Sequence, residues 1–113
     1  MIESFGFGWL MINGQRHRSD LVIFPDGRIL EPWRRKKGHR LGRDDIPELI
    51  ASGPELIIAG TGVSGQVRPD KGLQNELAKE GIEFVSAPNE DATTLFNESY
   101  TKKRVGACFH LTC

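Results

Sequence analysis

The glycine-rich turn from Gly60 to Gly65 has the residue types to hold a ligand. Gly-Thr-Gly-Val-Ser-Gly follows the apolar run 56–59 directly and matches the G-x-G-x-x-G spacing of dinucleotide-binding turns. Glycines let the backbone approach a ligand closely and present N–H groups to an anion. Because the next predicted helix starts near Asp70 instead of at the third glycine, a nucleotide is disfavoured. The expected ligand is a small anion or an acidic group of a partner. The candidate binding residues are Gly60, Thr61, Gly62, Ser64 and Gly65.

The same glycines also fit a structural role, in which they only allow a positive φ or close packing. No side chain in the turn is an evident general base, so we predict binding without turnover and no catalytic residue. Strand carboxyl ends are where open α/β sheets usually place ligands, which keeps the binding interpretation open.

A basic stretch from Arg34 to Arg43 follows Trp33 and offers a second candidate surface. Cations beside an indole could hold phosphates and stack a base. However, Asp44 and Asp45 follow at once, and the chain has 15 Lys+Arg against 15 Asp+Glu. Nucleic acid is therefore disfavoured, and we expect a solvated loop that contacts a protein partner. The candidate contact residues are Trp33, Arg34, Arg35, His39 and Arg40.

The end of the chain combines Cys108, His110 and Cys113, residue types that bind zinc or act as nucleophiles. If all three share a strand, alternation sends the two cysteines to opposite faces, which argues against a disulfide and against a shared metal ion. A Cys108–His110 nucleophile pair lacks an orienting third residue. We predict free thiols, no metal and no cofactor, with His110 as a hydrogen-bonded core residue.

The expected location is the cytoplasm, without membrane contact. Reduced thiols fit that compartment, and the first residues lack the basic region and cleavage site of a secretory signal. The longest apolar stretches, 21–24 and 56–59, are far too short to span a bilayer.

The elements that position these residues change character near residue 44. Before it, short apolar segments predict an antiparallel meander, with one strand at 5–12 and a hairpin at Asn13-Gly14. A second run at 21–24 ends at Pro25-Asp26-Gly27, and residues 28–33 pair back onto it.

After residue 44, helices and strands alternate. Asp45, Asp70 and Asn89 are predicted N-caps of three helices. The predicted strands are 56–59, 82–85 and 105–111, the first buried on both faces. This order predicts a single α/β domain over 1–113, with three layers, a mixed central sheet, N-terminal antiparallel hairpins and helices packed on it.

Several short motifs together give the chain a recognisable pattern. They include Phe5-Gly6-Phe7-Gly8, Asp20-Leu21-Val22-Ile23, Trp33, Gly60-Thr61-Gly62 and His110-Leu111-Thr112-Cys113. The pattern resembles the small uncharacterised domain shared by the adipogenesis-associated protein and the mitochondrial complex I assembly factor three. The resemblance implies a three-layer α/β fold around a mixed sheet and brings no established catalytic residues.

Two functions follow as alternatives. The eukaryotic relative works as an assembly chaperone with partner proteins, so the resemblance favours a non-enzymatic binding or assembly-type module that uses the loop 33–43. The alternative is a small-ligand-binding or enzymatic domain built on the turn 60–65.

Overall fold

A mixed β-sheet lies at the centre of the computed structural model, which describes residues 1–113. In chain order the strands are β1 (Ile2–Gly6), β2 (Trp9–Ile12), β3 (Gln15–His17), β4 (Leu21–Ile23), β5 (Ile29–Leu30), β6 (Arg40–Leu41), β7 (Leu56–Gly60), β8 (Arg68–Pro69), β9 (Glu83–Ala87) and β10 (Val105–Phe109). The helices are α1 (Pro47–Ala51), α2 (Leu73–Lys79) and α3 (Asn89–Ser99), with a 3₁₀ turn at Arg43–Asp45.

Strand β7 is buried at every position, as its uninterrupted apolar sequence predicts. It pairs in parallel with β10 on one side and with β9 on the other. Strand β4 joins β10 antiparallel, and β5 completes the order β5-β4-β10-β7-β9. The predicted mixed sheet is therefore confirmed, and its parallel half carries the helical crossovers.

Each face of this sheet has its own hydrophobic cluster. Helices α1 and α2 cover one face, where Ile57 and Cys108 of the sheet pack with Leu49 and Leu77. Helix α3 and the hairpin of β1 and β2 cover the other face, with Leu10, Ile58, Ala92, Phe96 and Phe109 among its members. This arrangement confirms the predicted three layers.

The N-terminal hairpins differ from the prediction in one place. Residues 5–12 do not form a single strand, because the chain reverses at Phe7-Gly8, where Gly8 has φ +83°. The predicted hairpin at Asn13-Gly14 is confirmed, with φ of +48° and +81° at the two positions. Positive φ at both central residues is the requirement that favours Asn-Gly in such turns.

The three predicted N-caps are wrong, since none of the α-helices has a side-chain cap. Asp45 instead accepts the Gly42 N–H at 2.7 Å, and Asp70 pairs with Arg40. Asn89 is the first residue of α3 and turns its side chain into the protein. Asp45 thus serves the preceding 3₁₀ turn, and distant partners hold the side chains of Asp70 and Asn89. None of the helices combines the length and apolar character needed to cross a bilayer.

Candidate functional site

The C-terminal segment, residues 110–113, lies against the glycine turn, residues 60–65. Strand β10 ends at Phe109, and from there the backbone follows the turn. The His110 N–H donates to Gly60 O at 2.9 Å, the Val63 N–H to Thr112 O at 2.7 Å and the Gln66 N–H to Cys113 O at 2.9 Å. Three successive bonds therefore fix the C-terminal segment on the glycine turn.

Two glycines of the turn are required by this packing. Gly62 has φ +113°, and a Cβ built there would lie 2.6 Å from the carbonyl carbon of Cys113. A Cβ at Gly60 would overlap the ring of Phe109. Both approaches are closer than real Cβ contacts, so any larger residue would displace the C-terminal segment or the strand before it.

Most N–H groups of the glycine turn donate to the protein itself. The Thr61 N–H bonds Ala87 O, the Gly62 N–H bonds a side-chain oxygen of Asn89, and the Gly65 N–H bonds Gly62 O. Thr61 is also buried, with 5% of its surface exposed. Ser64 is the candidate whose side chain faces solvent. Anion binding at this turn stays a prediction, and it would depend chiefly on Ser64.

Asn89 joins the glycine turn to the C-terminal segment through its side-chain amide. Its Oδ1 accepts the Gly62 N–H at 3.1 Å, and its Nδ2 donates to His110 O at 2.8 Å. The side chain is 1% exposed. Sequence reasoning missed this role because Asn before a helical pattern predicts a cap, and the signal is the same for both.

Asp20 also holds the C-terminal segment in place, through its side-chain carboxylate. Its Oδ1 accepts the Leu111 N–H at 2.8 Å, and its Oδ2 lies 2.8 Å from His110 Nδ1 and 3.1 Å from the Arg35 guanidinium. Burial alone would raise the pKa of Asp20, but the hydrogen bonds from His110, Leu111 and Arg35 outweigh it and hold this pKa below its ordinary value of 3.8. Asp20 is therefore ionised at neutral pH.

An ionised Asp20 also assigns the His110 tautomer. A carboxylate oxygen only accepts, so the close contact places the ring proton on Nδ1. In the neutral imidazole, Nε2 is then the atom with the lone pair, and Thr112 Oγ1 lies 3.2 Å from it. His110 is 7% exposed and hydrogen-bonded, as predicted for a core histidine.

The basic loop, residues 33–43, is anchored by two of its predicted contact residues. Trp33 is 7% exposed and donates its indole N–H to Asp45 O at 2.8 Å. The Arg35 side chain, also 7% exposed, lies over the Trp33 ring at 5.1 Å and donates to Gly38 O at 2.7 Å. Both side chains are mostly buried by contacts within the protein, so a partner would mainly meet the exposed Arg34, His39 and Arg40.

The loop brings His39 to the C-terminal segment. Its Nε2 atom lies 3.6 Å from Cys113 Sγ, and its ring packs edge-on against the His110 ring with 5.5 Å between centroids. One ligand atom from each of His39, His110 and Cys113 lies within 4.8 Å of the others. No sequence pattern signals this approach, because His39 comes from a different part of the chain.

The two cysteines have different surroundings. Cys108 is a buried free thiol whose pKa burial raises to about 12, so it stays protonated and inert. Cys113 is a half-buried free thiol beside His39. The alternation argument does not reach Cys113, because the strand ends at Phe109 and the segment then follows the glycine turn.

Comparisons with known proteins support one family. The chain is 28% identical to the conserved hypothetical protein PH1505 from Pyrococcus horikoshii OT3, covering 100% of this chain and 99% of that one with a TM-score of 0.83. It is 30% identical to MT938, covering 100% and 98% with a TM-score of 0.84.

A more distant structure shares the fold. A Mth938-like domain from Bordetella pertussis is 16% identical over 98% of this chain and 85% of that one, with a TM-score of 0.63. The model of the family described as protein of unknown function (DUF498/DUF598) matches residues 2–110. The chain therefore belongs to the DUF498/DUF598 family.

Proposed function

We propose that the protein is a non-enzymatic, assembly-type module that binds a partner protein at the surface around its C-terminal segment. The observation that carries the proposal is the exposure of Phe7, whose surface is 67% accessible at the tip of the β1–β2 hairpin. The neighbouring Gly8 N–H donates to Leu111 O at 2.7 Å, so the tip is fixed to the C-terminal segment. An aromatic side chain held on a rigid turn is the type of residue that anchors protein interfaces.

A second exposed apolar side chain lies along the same segment. Val63 is 38% exposed, and its N–H bonds Thr112 O, the carbonyl next to the one that Gly8 bonds. Val63 therefore gives the C-terminal segment a second exposed apolar neighbour, on the side away from Gly8, because successive carbonyls of an extended segment point in opposite directions. Two exposed apolar residues attached to one segment support a protein contact there.

The charges of the basic loop support a protein partner over nucleic acid. Most of its cations pair with carboxylates of the same chain, in the pairs Arg35–Asp20, Lys36–Asp44, Arg40–Asp70 and Arg43–Glu80. Arg34 and Lys37 are exposed and form no ion pair. These two unpaired cations could pair with acidic residues at the edge of a protein interface. Binding to the phosphate backbone of a nucleic acid needs a broad basic surface instead.

The alternative, a ligand-binding or enzymatic site at the glycine turn, has less support. The N–H groups that would hold an anion already donate within the protein. The proposed location of the module is the cytoplasm, where both thiols would stay reduced.

The test compares Phe7→Ser with Tyr100→Ser, a change at an exposed aromatic residue after the last turn of α3, the helix end opposite Asn89 and the glycine turn. Each tagged protein is cross-linked in native cell extract, captured and analysed by quantitative mass spectrometry, and the partner is then titrated as a pure protein. We expect Phe7→Ser to weaken partner binding by at least about tenfold, as loss of an aromatic anchor does, and Tyr100→Ser to leave it unchanged. Equal binding by both variants would contradict the proposed surface.

A further inference from the structure

We propose that His39, His110 and Cys113 form a binding site for a single zinc-class divalent metal ion. The inference does not depend on the proposed partner surface. It rests on three side chains from two distant parts of the chain, whose ligand atoms lie within 4.8 Å of one another. Two imidazoles and one thiolate suit Zn²⁺ and similar borderline ions, whereas Mg²⁺ and Ca²⁺ prefer oxygen ligands.

The spacing of the ligand atoms is close to what a tetrahedral ion requires. Bond lengths of about 2.3 Å to sulfur and about 2.0 Å to nitrogen put neighbouring sulfur and nitrogen ligands about 3.5 Å apart. The distance between Cys113 Sγ and His39 Nε2 is 3.6 Å. The remaining spacings need only small side-chain rotations, because none of the three exceeds 4.8 Å.

His110 is prepared for metal binding by its contact with Asp20. With Nδ1–H donating to the carboxylate at 2.8 Å, Nε2 is left as the ligand atom. A carboxylate behind a metal-bound histidine fixes the ring and raises its basicity. Arg35 lies 3.1 Å from the same Nδ1, and Asp20 balances its positive charge.

Backbone hydrogen bonds hold His39 and Cys113 in position in the absence of a metal ion. The Arg68 N–H donates to His39 O at 2.7 Å, next to the short pairing of β6 with β8. The Gln66 N–H donates to Cys113 O at 2.9 Å. Thr112 Oγ1, at 3.2 Å from His110 Nε2, gives up this contact when the metal binds.

His39 is exposed and Cys113 is half-buried, so an ion has an open path from solvent. The chain supplies three ligands, which leaves the fourth tetrahedral position to water.

The experiment titrates reduced, metal-free protein with Co²⁺ and follows its absorption spectrum. We expect one equivalent to bind with a near-ultraviolet thiolate-to-cobalt charge-transfer band and the intense visible bands of a four-coordinate ion, and Zn²⁺ to displace it. A competing chromogenic chelator then gives the zinc affinity. His39→Ala and Cys113→Ser should each weaken zinc binding by at least about tenfold, given that even outer-sphere partners contribute that much.

Cys108→Ala is the matched control, because it removes the other thiol, and Phe7→Ser tests independence from the partner surface. Both should bind zinc like the parent protein, and circular dichroism verifies that all variants are folded. Absence of the charge-transfer band in the parent, or unchanged zinc affinity in folded His39→Ala, would overturn the proposal.

Discussion

At the scale of single residues, Asp20 has the widest influence on the site. Its carboxylate contacts the basic loop through Arg35 and the C-terminal segment through His110 and the Leu111 N–H. Since only a charged carboxylate accepts from all three donors, its ionisation holds two distant segments together. A single proton on Asp20 would weaken the whole arrangement.

We therefore predict that Asp20→Asn lowers the free energy of unfolding at pH 7 by about 2 kcal/mol, because the amide nitrogen would face donors in place of an acceptor. The pKa of Asp20 is lower in the folded protein than in the unfolded chain, so its stabilisation is present above about pH 4 and is lost as the pH falls through the folded pKa. Urea unfolding between pH 7 and pH 2 measures the difference between the parent and the variant.

The difference should shrink on acidification. Glu98→Gln is a suitable control, because Glu98 is exposed on α3 and forms no ion pair or side-chain hydrogen bond, and this variant should follow the pH dependence of the parent. A difference for Asp20→Asn that persists unchanged at pH 2 would show that the carboxylate charge is not responsible.

At the scale of elements, the glycine turn is the surface on which the C-terminal segment packs. Gly62 meets two separate constraints, a positive φ and the proximity of the Cys113 backbone. Asn89 connects the same turn to His110 through both atoms of its amide. The turn thus has a structural role that does not depend on ligand binding.

Gly62→Ala should accordingly destabilise the protein by more than Gly72→Ala. Gly72 has φ +90° with no atom within 4 Å of a built Cβ, so alanine there costs only the backbone strain, about 1 kcal/mol. At Gly62 the contact with Cys113 adds to the strain, and we expect at least about 2 kcal/mol. Thermal and chemical unfolding measure the loss of stability in each variant. Equal losses of stability in the two variants would contradict the prediction, because they would show that the C-terminal segment can shift without cost.

The elements themselves were largely predictable from the sequence. The continuous apolar run predicted the central position of β7, and Asn13-Gly14 predicted the hairpin. Both predictions succeeded because the signals are local in the sequence. The reversal at Phe7-Gly8 was missed, since the apolar pattern continues through it. The predicted caps were wrong because Asp45 bonds within the preceding 3₁₀ turn, and Asp70 and Asn89 bond residues from other parts of the chain.

At the scale of the whole molecule, the fold joins three features that are separate in the sequence. The glycine turn, the basic loop and the C-terminal segment were each identifiable, but their contacts join residues as far as 75 positions apart. Nothing in the spacing of His39, His110 and Cys113 predicts that they meet. The pairing of β10 with β7 places the C-terminal segment on the glycine turn, and the pairing of β6 with β8 brings His39 to it.

The most direct test of this account is a nuclear Overhauser and long-range ¹H–¹⁵N measurement on the imidazoles of the metal-free protein. With ring centroids 5.5 Å apart, His39 and His110 should show cross-peaks between their ring protons, and the nitrogen shifts should place the His110 proton on Nδ1. A folded protein without a His39–His110 cross-peak, or with His110 protonated on Nε2 alone, would contradict the claim that the basic loop and the C-terminal segment form one site.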